Sequence, residues 1–163
     1  FWLELIKSFE IFLTNEEQEL FVTGRRLVQA ALESLKEGVA VCKPGACLSD
    51  IGKAIHAVAD AYGYDTVRKY RGHGISDEFH CSPFVKHYRN SDALLLEPGM
   101  IFTIEPMLTE GNSDCYEWND AWTVATVDGG RSAQFEHTVG VTDKGYEVFT
   151  LSKNGLDSPP YKT

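Results

Sequence analysis

Early in the chain, hydrophobic positions recur at helical spacing. Leu20, Leu27, Val28, Ala31, Leu32 and Leu35 fall on one face of a helical repeat, Thr14 and Glu17 form a capping box ahead of them, and Lys43-Pro44-Gly45 ends the run. The pattern predicts one long amphipathic helix. A second helix is expected with Ser49 as its cap, Ile51, Ile55, Val58, Ala59 and Tyr62 on its buried face, and Gly63 at its end. After Tyr64 the period drops to two or disappears. Glu97-Pro98-Gly99, Asp128-Gly129-Gly130 and Asp143-Lys144-Gly145 separate short β-rich runs at roughly 65–70, 100–105, 121–127, 133–141 and 146–151. Helices followed by hairpin-connected strands imply an α+β fold, with helices packed on one face of an antiparallel sheet.

Composition narrows the reading. The 163 residues suit one domain, and the 24 acidic against 15 basic side chains give a formal charge of −9, which offers no basic face for nucleic acid or an anionic membrane. Cys42, Cys47, Cys81 and Cys115 form no C-x-x-C pair, so reduced thiols in an intracellular compartment are expected rather than a zinc ribbon or a disulfide framework. Residues 1–13 are apolar but broken by Glu4, Lys7 and Glu10, which fits neither a membrane span nor a signal peptide. With Phe1 rather than Met at the start, they suggest a chain cut from something longer. Asn154-Gly155 and Pro159-Pro160 mark residues 153–163 as a tail.

Candidate chemistry sits in the second half. His73, His80 and His87 are evenly spaced in a stretch where Gly72, Gly74 and Pro83 exclude a helix, so an irregular strand or loop could aim imidazoles at one point. Any one of them reads equally well as a surface histidine. Glu105, at the end of Met100-Ile101-Phe102-Thr103-Ile104, is an acid in an apolar run, costly there unless paired or metal-bound. Alternation puts it on the side of Thr103 and Ile101. Glu136 repeats the situation opposite Phe135, His137 and Val139. Either acid alone also fits a solvent-facing sheet position. One imidazole and two carboxylates make a mixed N/O set suited to Zn²⁺, Mn²⁺, Fe²⁺ or Co²⁺, and a hydrolytic metal site follows as the hypothesis. Cys81 is a possible soft ligand, more simply read as a buried thiol.

Gly72-His73-Gly74-Ile75, Phe79-His80, His87-Tyr88, Phe102-Thr103-Ile104-Glu105-Pro106-Met107, Asp120-Ala121-Trp122-Thr123 and Ser132-Ala133-Gln134-Phe135-Glu136-His137-Thr138, in this order, resemble a methionine aminopeptidase. The short interval from Glu105 to Glu136 leaves no room for the helical insertion of the second eukaryotic type, so type I is implied. The resemblance implies a pita-bread fold, of which residues 14–152 are the C-terminal half, and removal of methionine from the N-termini of peptides and nascent proteins. It also implies that His80, Glu105 and Glu136 bind metal, that Glu105 moves the proton, that His87 contacts the scissile amide, and that Phe79, Met107 and Trp122 lie near the methionine pocket.

The chain departs from the family upstream. Two further metal-binding aspartates are expected there, and the place of the second falls near Lys7, a cation. A substrate-binding histidine is missing as well. Residues 1–13 are therefore expected to be unmatched, the site to hold at most one divalent ion (Co, Mn, Fe or Zn) weakly where the whole family site holds two, and the chain alone to be inactive. An uncovered half-fold is expected to self-associate through its seam. The cytoplasm is the expected compartment, or a mitochondrion or plastid if a transit peptide precedes the chain. A non-catalytic pita-bread binding module and a proline dipeptidase relative are the alternatives.

Overall fold

The computed structural model describes residues 14–152; Lys7 with the rest of 1–13, and the tail 153–163, lie outside them. Helix α1 (Asn15–Ala40) begins as the capping box requires: the Thr14 hydroxyl accepts from the Glu17 amide, and the Glu17 carboxylate accepts from the Thr14 amide at 2.7 Å. Helix α2 (Leu48–Tyr62) starts earlier than expected. Its N-cap is Cys47, not Ser49, because the Asp50 carboxylate reaches back to the Cys47 amide at 3.1 Å. It ends where expected, at Gly63 with φ +77°, a left-handed conformation that favours glycine.

Leu27, Ala31, Leu32 and Leu35 of α1 and Ile51, Ile55 and Ala59 of α2 are buried. Each fully buried leucine or isoleucine contributes about 1.5–3 kcal/mol relative to exposure. Leu20, expected on the same face, is 56% exposed near the helix start.

The remaining chain forms short antiparallel strands: β1 (Asp65–Thr66), β2 (Gly72–Gly74), β3 (Cys81–Val85), β4 (Ile101–Ile104), β5 (Met107–Thr109), β6 (Cys115–Glu117), β7 (Val124–Thr126), β8 (Ser132–Gln134), β9 (His137–Val141) and β10 (Tyr146–Val148). Five of them make a sheet in the order β10-β9-β4-β2-β3, three make a sheet in the order β1-β5-β8, and β6 pairs with β7. The α+β arrangement holds. Phe102, Ile104, Val139 and Val141 join the helices in one core, while Thr103 and Glu105 alternate to the opposite side.

The run expected at 133–141 is two strands in different sheets. Ile104 pairs with His137 in the larger sheet and Met107 with Gln134 in the smaller, so Glu105-Pro106 lies opposite Phe135-Glu136 where the ladder breaks. The histidine-rich stretch, open between loop and strand from sequence, supplies β2 and β3. The glycines of β2 explain why: a Cβ on Gly72 would overlap the Thr103 carbonyl, and one on Gly74 the Ser82 carbonyl. Gly-His-Gly lets the strands on either side close in around His73.

Candidate metal centre

Three donors converge at the break between the sheets. His73 comes from the middle of β2, Glu105 from the residue after β4, and Glu136 from the residue before β9. One ligand atom from each lies within 4.8 Å of the other two, close to the span of about 4 Å between donors that share one ion. Burial falls across the trio: His73 is buried, Glu105 half-buried and Glu136 exposed.

The His73 ring is held in the state that a ligand needs. Nδ1 lies 3.1 Å from the Gly74 carbonyl, which can only accept, so the neutral ring carries its proton on Nδ1 and offers the Nε2 lone pair to an ion. Nε2 faces the Glu105 carboxylate, 3.8 Å from Oε1. Burial pushes the Glu105 carboxyl above its usual range and the nearby Glu136 charge adds to this, while the Thr103 hydroxyl, donating to Oε1 at 2.8 Å, pulls the other way. Two converging carboxylates and an imidazole lone pair, with excess negative charge between them, fit a divalent cation.

The expected donor set had His80; the three donors that converge include His73 instead. His80 is exposed, its ring 4.3 Å from the His73 ring, and it is not among the three donors. His87, expected at the substrate, is 0% exposed. Its Nε2 accepts from the Glu105 amide at 3.1 Å, and burial lowers its pKa to about 3, so it is a neutral acceptor beneath the site.

A cavity of about 590 Å³ opens on the trio's side, lined by His73, His80 and Glu105 together with Val67, Met107 and Cys115. Phe79 is 71% exposed and packs at 4.7 Å against His80 instead of lining the cavity, and Trp122 is 87% exposed. Among the described residues no helix is long and apolar enough to cross a membrane, and the four cysteines are free.

Sequence reasoning did not single out His73 as the histidine beside the two glutamates, nor Thr103, whose hydroxyl also accepts from the His73 amide at 2.9 Å. The flanking glycines were the available signal for His73, since they mark a backbone that must be approached closely. For Thr103 it was the strand alternation that already set it beside Glu105.

Residues 11–143 match the model of metallopeptidase family M24. The methionine aminopeptidase of Rickettsia prowazekii is 47% identical over 145 residues, which are 88% of this chain and 56% of that protein. The chloroplastic methionine aminopeptidase 1B of Arabidopsis thaliana is 45% identical over 139 residues, 85% of this chain and 37% of that protein. The crystal structure of the Rickettsia enzyme superposes with a TM-score of 0.77 at 47% identity, covering 80% of this chain and 53% of that one. The chain spans about half the length of the Rickettsia protein or less of the others it matches.

Proposed function

This chain belongs to metallopeptidase family M24, and on that premise we propose that its His73, Glu105 and Glu136 form one side of a metal centre that removes methionine from the N-termini of peptides and nascent proteins. The observation that carries this reading is the convergence of the three donors, two of which, His73 and Glu105, line a largely apolar cavity. A divalent ion held there would supply Lewis-acid polarisation of the scissile carbonyl and activation of the attacking water.

The chain's own residues do the rest. Glu105, with its carboxyl raised by burial, takes a proton from the water and returns it to the leaving amine. His80, exposed at the cavity with its ring tilted against that of His73, is the histidine able to hydrogen-bond the substrate amide. Val67, Met107 and Ala125 line the space for an unbranched apolar side chain, and Phe79 and Trp122, exposed outside that lining, are proposed as further contacts of a bound substrate. An N/O/O set accepts Mn, Fe, Co or Zn. Two glutamates carry too little charge for two ions, so these residues alone hold one, weakly, and a second ion needs further acids. The exposed apolar side chains, Phe84, Trp118 and Phe149 among them, would let the chain self-associate. The cytoplasm is the proposed compartment, with an organelle as the alternative that the chloroplastic relative suggests.

The test is release of methionine from Met-Ala-Ser with Mn²⁺ or Co²⁺, by the chain alone and mixed with the part of the Rickettsia relative that it does not cover. Methionine released by the mixture and lost in Glu105→Gln supports the reading. Cleavage of Xaa-Pro peptides instead, or no cleavage in either sample, overturns it.

A further inference from the structure

Glu105 and His73 share one neighbour that belongs to neither the donor set nor the cavity wall. Thr103 is 1% exposed, and its hydroxyl oxygen accepts from the His73 backbone amide at 2.9 Å while its proton goes to Glu105 Oε1 at 2.8 Å. The hydroxyl has one proton to give, and the His73 N–H can only donate, so the direction of both bonds is fixed. We propose that Thr103 is a positioning residue that ties the imidazole-bearing strand to the Glu105 carboxylate and fixes the orientation of that carboxylate toward the ion. The inference rests on the reading of the trio as a metal site.

Three observations carry it. Alternation along β4, continued to the residue after it, puts Thr103 and Glu105 on the same side, so the i, i+2 geometry of an extended chain brings them together. β2 meets β4 through a single register pair, Gly74 with Phe102, so the Thr103–His73 bond stands in for a ladder bond at the one place where the ligand strand needs anchoring. Finally, a Cβ on Gly72 would overlap the Thr103 carbonyl, so the backbones of β2 and β4 are in close contact beside the hydroxyl. Oε1 accepts from the hydroxyl and is also the oxygen nearest His73 Nε2, at 3.8 Å, while Oε2 takes the long contact from Gln134 Nε2 at 3.4 Å. Thr103 thus does for a carboxylate ligand what the Gly74 carbonyl does for His73: it fixes the orientation in which the group is presented.

Thr103→Val keeps the shape and removes the hydroxyl, and Thr103→Ser keeps the hydroxyl. Thr109→Val removes an equally buried hydroxyl bonded to Asp65 and Asn112 carbonyls away from the site, and controls for general loss of stability. Co²⁺ titration of the full chain, by calorimetry and visible absorption below each variant's melting temperature, reads the effect. Thr103→Val should weaken Co²⁺ binding about 10-fold or more and alter the absorption bands, with Thr103→Ser and Thr109→Val within about 3-fold of the parent. Parent-like binding by Thr103→Val, or a loss in Thr103→Ser as large as in Thr103→Val, overturns the assignment. Failure of the parent chain to bind Co²⁺ overturns the metal reading itself and the assignment with it.

Discussion

His87 Nε2 accepts the backbone N–H of Glu105 at 3.1 Å, and the ring that does so is wholly shielded from solvent. The bond reaches Glu105 at the point where β4 has ended and Pro106 breaks the ladder, so no strand partner satisfies that amide. A buried histidine in this place works as part of the frame.

His87→Ala is therefore expected to destabilise the chain by about 2–4 kcal/mol, from the cavity and the unpaired Glu105 amide together. Urea denaturation of parent and variant measures this. A change under about 0.5 kcal/mol, the range of a surface substitution, would place His87 at an accessible position instead.

Arg131 ties the start of α1 to the smaller sheet: its guanidinium donates to Glu110 at 2.6 and 2.8 Å and to the Thr23 hydroxyl at 2.6 Å. Those bonds hold the Glu110 carboxyl below its usual 4.5. With the folded value lower than the unfolded one, the contribution is complete above the ordinary value and is lost as pH falls through the folded one. Arg131→Ala should cost about 1–2 kcal/mol near neutral pH, and the deficit should shrink below pH 4.5 as the parent loses the same interaction. A deficit independent of pH in urea melts would contradict this account.

Gly72→Ala should cost more than about 2 kcal/mol, because the added methyl meets a backbone carbonyl of β4 that cannot rotate away. A thermal melt suffices to check it. Gly45→Ala is the contrast: with nothing near its Cβ position, it should show only the smaller strain of its positive φ, +78°.

Much of this was legible in the chain. Thr14 with Glu17 announced α1, Gly63 the end of α2, and the apolar spacing the face on which both helices pack. Glu105 and Glu136 stood out as acids in apolar runs and do converge. What failed depended on contacts distant in sequence. Periodicity carries no signal for a run such as 133–141 that changes sheets midway, nor for three-residue strands such as β6. The choice among His73, His80 and His87 turned on which backbone is approached closely, and only packing of β2 against β4 decides that. Ser49 lost the capping position to Cys47 because Asp50, which follows it, bonds back across the helix start.

Metal binding by His73→Ala and His80→Ala, set against the parent chain in Co²⁺ or Mn²⁺ calorimetry, tests the site most directly. His73→Ala should abolish measurable binding and the metal-dependent rise in melting temperature, whereas His80→Ala should retain both. Loss of binding in His80→Ala with His73→Ala unaffected would contradict the assignment of the trio.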